Sequence, residues 1–436
     1  MENRNIEEDR REYRRKRKKR NQTMAYIVLF VMLMVMGAGA FVGVKMFGKK
    51  TPVQEEIPQS SQVIQDIFAS EEIIEMPDMT ESVPELTKEE KLDLYIDELI
   101  TEMTLAEKVA GLFFVTPEAI TGVDTAVQAG EGTKNALEKY PVGGLIYFDK
   151  NIRSKEQLAE MIKNSQEYSK HPLFIGVDEE GGSVNRVAKA GLAPIQSSAA
   201  QIGATGDTGN AYNAGTVIGT YLSEIGFNVN FAPVADLANT EGSVMKERAY
   251  GSEAGAVASY VNAMMSGLQE NGVIACLKHF PGIGSTTADT HKGLAAISRT
   301  AEELRSQELE VFKAGIEAGA QMIMAGHVTV PALDPDDNPA SLSKVLITDI
   351  LRGELGYEGV VITDALNMSA ISEYYSSEQA AIMALKAGCD MILMPENFLQ
   401  AYAGVMSAVA DGTISEQRIN DSLKRIYRMK YAEVIE

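Results

Sequence analysis

Five short apolar runs of this chain stop at ionisable side chains. The run at 173–177 is followed by Asp178, Glu179 and Glu180, and the run at 229–234 by Asp236. The run at 273–279 closes on Lys278 and His279, the run at 321–327 on His327, and the run at 359–363 is followed by Asp364. Carboxylates, an ammonium and imidazoles gathered at one end of a sheet are parts for nucleophilic and acid–base chemistry. A strand-end carboxylate commonly does no more than cap the next helix, so Asp236 or Glu179 alone carries little weight. Five strands delivering such groups at the same end read as a site. Two cysteines, Cys276 and Cys389, exclude a disulfide framework and a thiolate-built zinc centre. The four histidines leave little for a multi-histidine metal centre.

The elements that must position these residues can be read from periodicity. Eight β-rich runs, at 111–116, 144–148, 173–177, 229–234, 273–279, 321–327, 359–363 and 390–394, are separated by amphipathic stretches. The spacing predicts helices over 155–168, 212–225, 257–271, 301–318 and 377–387. Near-continuous apolar strands alternating with helices imply a parallel sheet covered on both faces. Eight such units predict an α/β fold of the (β/α)₈ TIM-type barrel class, with chemistry at the C-terminal ends of its strands. An open doubly wound sheet is the alternative, but no Gly-x-Gly-x-x-Gly follows the first strand.

Charge divides the 436 residues. Residues 1–50 hold 13 Lys/Arg against 5 Asp/Glu, leaving 27 against 56 for the rest of a chain of net charge −21. So acidic a body disfavours nucleic acid and anionic membrane surfaces as partners. Residues 24–44 carry no charge and as a helix would span about 31 Å, enough to cross a bilayer. Ten Lys/Arg precede this stretch and three closely follow it. The positive-inside rule then predicts a cytoplasmic tail (1–23), a single transmembrane helix (24–44) and an extracytoplasmic remainder. A cleaved signal peptide is the rival, since Ala38-Gly39-Ala40 resembles a cleavage site. Nine acids, four prolines and no Lys or Arg over 51–86 predict that 45–86 forms a disordered acidic stalk before a domain at 87–436.

Four motifs then carry a resemblance. Val177-Asp-Glu-Glu-Gly-Gly-Ser-Val-Asn-Arg186, Lys278-His-Phe-Pro-Gly282, Asp289-Thr-His291 and Gly359-Val-Val-Ile-Thr-Asp-Ala-Leu-Asn-Met368 resemble the glycoside hydrolase family 3 catalytic domain, in its order and spacing. More narrowly they resemble its β-N-acetylglucosaminidase branch, over roughly residues 90–430. The resemblance implies a retaining exo-enzyme that removes terminal β-linked N-acetylglucosamine, with no metal or organic cofactor. It implies Asp364 as the nucleophile, and Asp289 with His291 as the acid–base pair. An aspartate two residues from the histidine can hold one ring nitrogen, raise the imidazole pKa and fix its tautomer. Asp178, Arg186, Arg248, Lys278 and His279 correspond to the holders of the terminal sugar. His327 is expected either to line the pocket or to hydrogen-bond beneath it.

Two positions depart from the pattern: Ile283 replaces a histidine and Ser285 an aspartate of the family's Lys-His-Phe-Pro-Gly-His-Gly-Asp, so the loop bearing Asp289 and His291 is expected to be anchored differently. With no Trp in the chain, a small pocket for one terminal sugar is expected rather than a long stacking cleft. The expectation is a membrane-tethered enzyme on amino-sugar glycosides, chiefly peptidoglycan fragments beside the wall. A glycosyl phosphorylase on the same fold and a non-catalytic amino-sugar-binding protein are the alternatives. Should His291 fail as the acid, Glu179 and Glu180 are the next candidates.

Overall fold

The computed structural model describes residues 86–287 and 293–432. The expected tail, transmembrane helix and nearly all of the stalk lie outside the described residues, as do Asp289 and His291. Among the described residues no helix is long and apolar enough to cross a membrane.

All eight expected runs contain strands, and these pair in parallel around a nearly closed barrel. In chain order they are β1 (Phe113–Val115), β2 (Gly144–Ile146), β3 (Phe174–Val177), β4 (Val229–Asn230), β5 (Ile274–Phe280), β7 (Met322–Ala325), β9 (Val360–Thr363) and β10 (Ile392–Leu393). Neighbours run β10-β1-β2-β3-β4-β5-β7-β9. The last seam, β9 to β10, closes through a single parallel bridge between Ile362 and Met391. There the Thr363 amide donates to the Met391 carbonyl at 3.1 Å and the Asp390 amide to the Val361 carbonyl at 2.7 Å. The two other strands among the described residues, β6 (Ala295–Ala296) and β8 (Val328–Thr329), form a separate parallel pair that periodicity did not reveal. Two residues are too few to show a period.

Alternation along the strands decides what fills the barrel. Phe114 points inward, and Gly144 and Gly176 on the next two strands make room for it. A Cβ at either glycine would come within 2.7 Å of the Phe114 ring. Phe231 meets the same ring edge-on at 5.3 Å. The neighbouring Phe113 faces outward onto Phe398 of the helix Phe398–Ala410. Following the inward parity from Gly176 gives Asp178, from Cys276 gives Lys278, and from Ile362 gives Asp364. The same two-residue step that packs the core thus delivers these three groups to the C-terminal mouth.

Helices Lys155–Tyr168 and Ser377–Ala387 occupy the expected ranges. Gly209–Ile225 and Ala254–Gln269 start three residues earlier than expected. The stretch 301–318 was expected to be one helix and is two, Ala301–Ser306 and Glu308–Glu317. The break at Gln307 turns the Glu308 carboxylate inward, where it is fully buried and accepts from Asn239 at 3.2 Å and Arg299 at 3.1 Å. A long-range polar contact here overrides local helix propensity.

Candidate active site

Pocket residues gather at the C-terminal mouth around a cavity of about 290 Å³. Asp178, Arg186, Arg248, Lys278, His279 and Asp364 all line it, together with Glu180, Phe148 and Asn367. The structure therefore brings together the expected nucleophile and all five expected sugar holders, whereas Glu179, Asp236 and His327 do not line the cavity.

Asp364 follows directly on β9. Its amide donates to the Ala325 carbonyl at 2.8 Å, which fixes the backbone against β7. Its Oδ1 accepts from the Ala365 amide at 2.7 Å. Burial alone would raise this carboxyl, but the neighbouring His279 and His327 rings and the Ala365 amide hold it below the ordinary aspartate value. A carboxylate kept ionised at the bottom of a pocket is suited to attack on an electrophilic carbon.

Around it runs a chain of ion pairs. Lys278 Nζ lies 2.8 Å from Asp178 Oδ1 and 2.7 Å from Glu180 Oε1. Arg248 grips Glu180 with two parallel hydrogen bonds, Nε to Oε2 at 2.9 Å and Nη2 to Oε1 at 2.6 Å. Burial would raise Glu180, yet Lys278 and Arg248 hold it far below the usual carboxylate range. Burial would likewise lower Arg248 and Lys278, and their carboxylate partners raise both instead. Glu180 therefore stays charged and is unsuited to donate a proton. The looser member is Arg186, 3.8 Å from both Asp178 and Asp149, with its guanidinium over the Phe148 ring at 5.7 Å.

Glu179 faces the other way, as strand alternation requires between two pocket-facing neighbours. Its carboxylate accepts the amides of Arg186, Val187 and Ala188 at 2.6–2.9 Å and the Tyr221 hydroxyl at 2.8 Å. It shapes the loop that presents Arg186 and does not border the pocket. Neither acid thus fits the reserve role of proton donor. His327 is buried beneath the mouth rather than lining it. Its Nε2 donates to the Ala365 carbonyl at 3.0 Å, and its Nδ1 lies 2.8 Å from the Ser341 hydroxyl. It thereby supports the peptide after Asp364.

Lys278 and His279 both reach the cavity although they are consecutive. The pairing of β5 with β7 shifts register between Lys278 and Phe280, which removes the normal alternation there. Sequence reasoning missed Phe148, Asn367, Met368 and Met394 as lining residues. Phe148 and Met394 stand at the ends of the second and eighth runs and Asn367 and Met368 within a quoted motif, so a strand-end rule extended to apolar and amide residues would have found them. Met394 lines the pocket from a left-handed backbone conformation, φ 44°.

Comparison with known proteins follows the same lines. Residues 100–429 match the family model described as the glycosyl hydrolase family 3 N terminal domain. A beta-hexosaminidase from Nitrosomonas eutropha is 39% identical over 261 residues, 58% of this chain and 73% of that protein. Beta-hexosaminidase A of Pseudoalteromonas piscicida is 32% identical over 324 residues, 67% of this chain and 54% of that one. Among solved structures, a glycoside hydrolase family 3 beta-N-acetylglucosaminidase from Paenibacillus sp. str. FPU-7 superposes with a TM-score of 0.71 at 36% identity, covering 76% of this chain and 63% of that one. The beta-N-acetylhexosaminidase of Beutenbergia cavernae superposes with a TM-score of 0.67 at 28% identity, covering 76% and 99%. The chain spans about half the length of the Pseudoalteromonas protein and under two thirds of the Paenibacillus one.

Proposed function

We propose that this chain, which belongs to glycosyl hydrolase family 3, is a retaining exo-β-N-acetylglucosaminidase. The observation that carries the reading is Asp364. It is an ionised carboxylate lining a pocket of about 290 Å³ that Asp178, Lys278, Arg186 and Arg248 also line. Paired carboxylates and cations of this kind hold sugar hydroxyls by charge-assisted hydrogen bonds. That several relatives are named beta-hexosaminidase supports an amino-sugar substrate.

In this reading Asp364 attacks the anomeric carbon and a carbon–oxygen bond to Asp364 forms as the glycosidic bond breaks. The leaving oxygen takes a proton from His291, which Asp289 orients. Water then attacks the same carbon, gives its proton to His291 and frees Asp364. The apolar stretch at 24–44 with its basic flank supports a tether facing outward, which makes peptidoglycan fragments the natural substrates.

The test is covalent trapping. A fluorosugar of the N-acetylglucosamine type should label Asp364, and an aryl β-N-acetylglucosaminide should be hydrolysed at the same rate with and without phosphate. Labelling of Asp178, or turnover that requires phosphate, would overturn the reading.

A further inference from the structure

Asp236 lies at the end of the fourth barrel strand, is fully buried, and does not line the pocket. The helix that follows it begins far away, at Ala254, with Glu253 as its cap, so Asp236 caps nothing. Its carboxylate is spent on the next strand instead. Oδ2 lies 2.8 Å from His279 Nδ1, and Oδ1 accepts the Ile283 amide at 2.7 Å. The backbone on either side follows the same course. Val234 bridges Lys278, the Ala235 amide donates to the Lys278 carbonyl at 2.6 Å, and Gly284 sits so close to Leu237 that a Cβ there would lie 1.8 Å from its carbonyl oxygen.

A carboxylate oxygen can only accept, so the proton between Asp236 and His279 belongs to Nδ1. That leaves His279 Nε2 as the ring's remaining polar atom, on a ring that borders the cavity beside Asp364. Ile283 has a buried side chain, and its amide is the group that Asp236 holds just beyond the strand. Asp289 and His291 follow six and eight residues later in the chain.

We propose that Asp236 is the positioning residue of this site. By one carboxylate it fixes the His279 tautomer, so that Nε2 addresses the bound sugar, and it ties the His279 ring to the Ile283 amide. The turnover part of this inference rests on the glycosidase reading above; the tautomer part does not.

The experiment is nitrogen NMR of the full chain labelled with ¹⁵N-histidine. Its four histidines can be assigned with single substitutions. His279 should carry its proton on Nδ1 in the native protein, and in Asp236→Asn the amide should move it to Nε2. The same variant should lose about 10²-fold in kcat/KM on aryl β-N-acetylglucosaminide while its unfolding midpoint stays near native, as expected when an amide replaces the carboxylate that orients a ring and sets the wrong tautomer. Asp236→Glu, which keeps a carboxylate, should keep the Nδ1 proton and recover part of the activity. An unprotonated Nδ1 in the native protein would overturn the proposal, whether or not the asparagine variant folds. Unchanged His279 signals or unchanged turnover in a folded Asp236→Asn protein would do the same. A chain that turns over no amino sugar would sink the glycosidase reading alone, and the tautomer measurement would still decide the role of Asp236.

Discussion

Asp364 and Glu180 are both half-buried pocket carboxylates held ionised, but by different means and for different ends. Glu180 is satisfied on both oxygens by Lys278 and Arg248, whereas Asp364 is hydrogen-bonded at Oδ1 by its neighbouring amide and borders the cavity. Replacing Asp364 by Asn should therefore abolish fluorosugar labelling and lower kcat by on the order of 10⁴-fold with little change in stability, as removal of a nucleophile does. Replacing Glu180 by Gln should instead cost about 3 kcal/mol, because it takes the charged partner from half-buried Arg248 and leaves buried Lys278 with Asp178 alone. The pH dependence follows from the same pairing. The folded pKa of Glu180 lies below its ordinary value of 4.5, so its stabilisation is present above that pH and fades as pH falls toward the folded value. Denaturant unfolding across the acid range should show a slope that the Gln variant loses. For His291 the expectation concerns leaving groups. His291→Ala should slow sugar leaving groups by about 10²–10⁴-fold and dinitrophenyl substrates far less, with the Asp364 intermediate accumulating. Equal losses on both substrates would assign the proton to another group.

At the scale of elements, what could be read from the sequence was set by the reach of each signal. Strand parity is local, so Asp178, Lys278 and Asp364 could be placed at the mouth by counting twos from the core. The helices Lys155–Tyr168 and Ser377–Ala387 were legible because a cap, an apolar stripe and a stop coincide in each; Ser154 and Ser376 accept the first-turn amides. What could not be read depends on partners far along the chain. Asp236 meets His279 43 residues later, and the inward turn of Glu308 answers to Asn239, 69 residues away. Asp390 is the same kind of case. It is fully buried before β10 and receives Arg352 at 2.5 Å, Arg425 at 3.2 Å and the Ser422 hydroxyl at 2.8 Å. It thereby fastens the closing strand to the last helix, Glu416–Tyr431. Asp390→Asn should destabilise the domain by about 3 kcal/mol, since it takes the buried charge that half-buried Arg352 and Arg425 share. Because Asp390 lies at the start of its strand, away from the mouth, turnover per folded molecule should be unchanged. An activity loss without a stability loss in that variant would contradict this division between the two ends of the barrel.

For the molecule as a whole, the two ends of the barrel differ in what they do. The helix Glu416–Tyr431 crosses the N-terminal end, where Arg425 and Ser422 meet Asp390 before β10 and Lys430 donates to the Gly143 carbonyl before β2 at 2.7 Å. The first described helix, Lys88–Glu102, lies against it, with ion pairs from Arg428 to Asp93 at 2.7 Å and from Lys424 to Asp97 at 2.5 Å. The chain thus enters the domain at the end remote from the pocket. Cleavage in the acidic stretch before residue 87 should release a protein of about 350 residues whose kcat and KM match those of the intact chain. The released piece carries 27 Lys/Arg against 47 Asp/Glu, so it should bind an anion exchanger and ignore anionic vesicles, while the basic residues stay with the membrane fraction. Topology is read from the same digestion. If ten Lys/Arg hold the N-terminus in the cytoplasm, protease added outside intact cells should release the active domain before the membrane is breached. Full protection of the domain in cells lacking an outer permeability barrier, followed by release only after lysis, would place it in the cytoplasm. That result would remove intact cell-wall fragments from its reach and leave imported amino-sugar glycosides as its substrates.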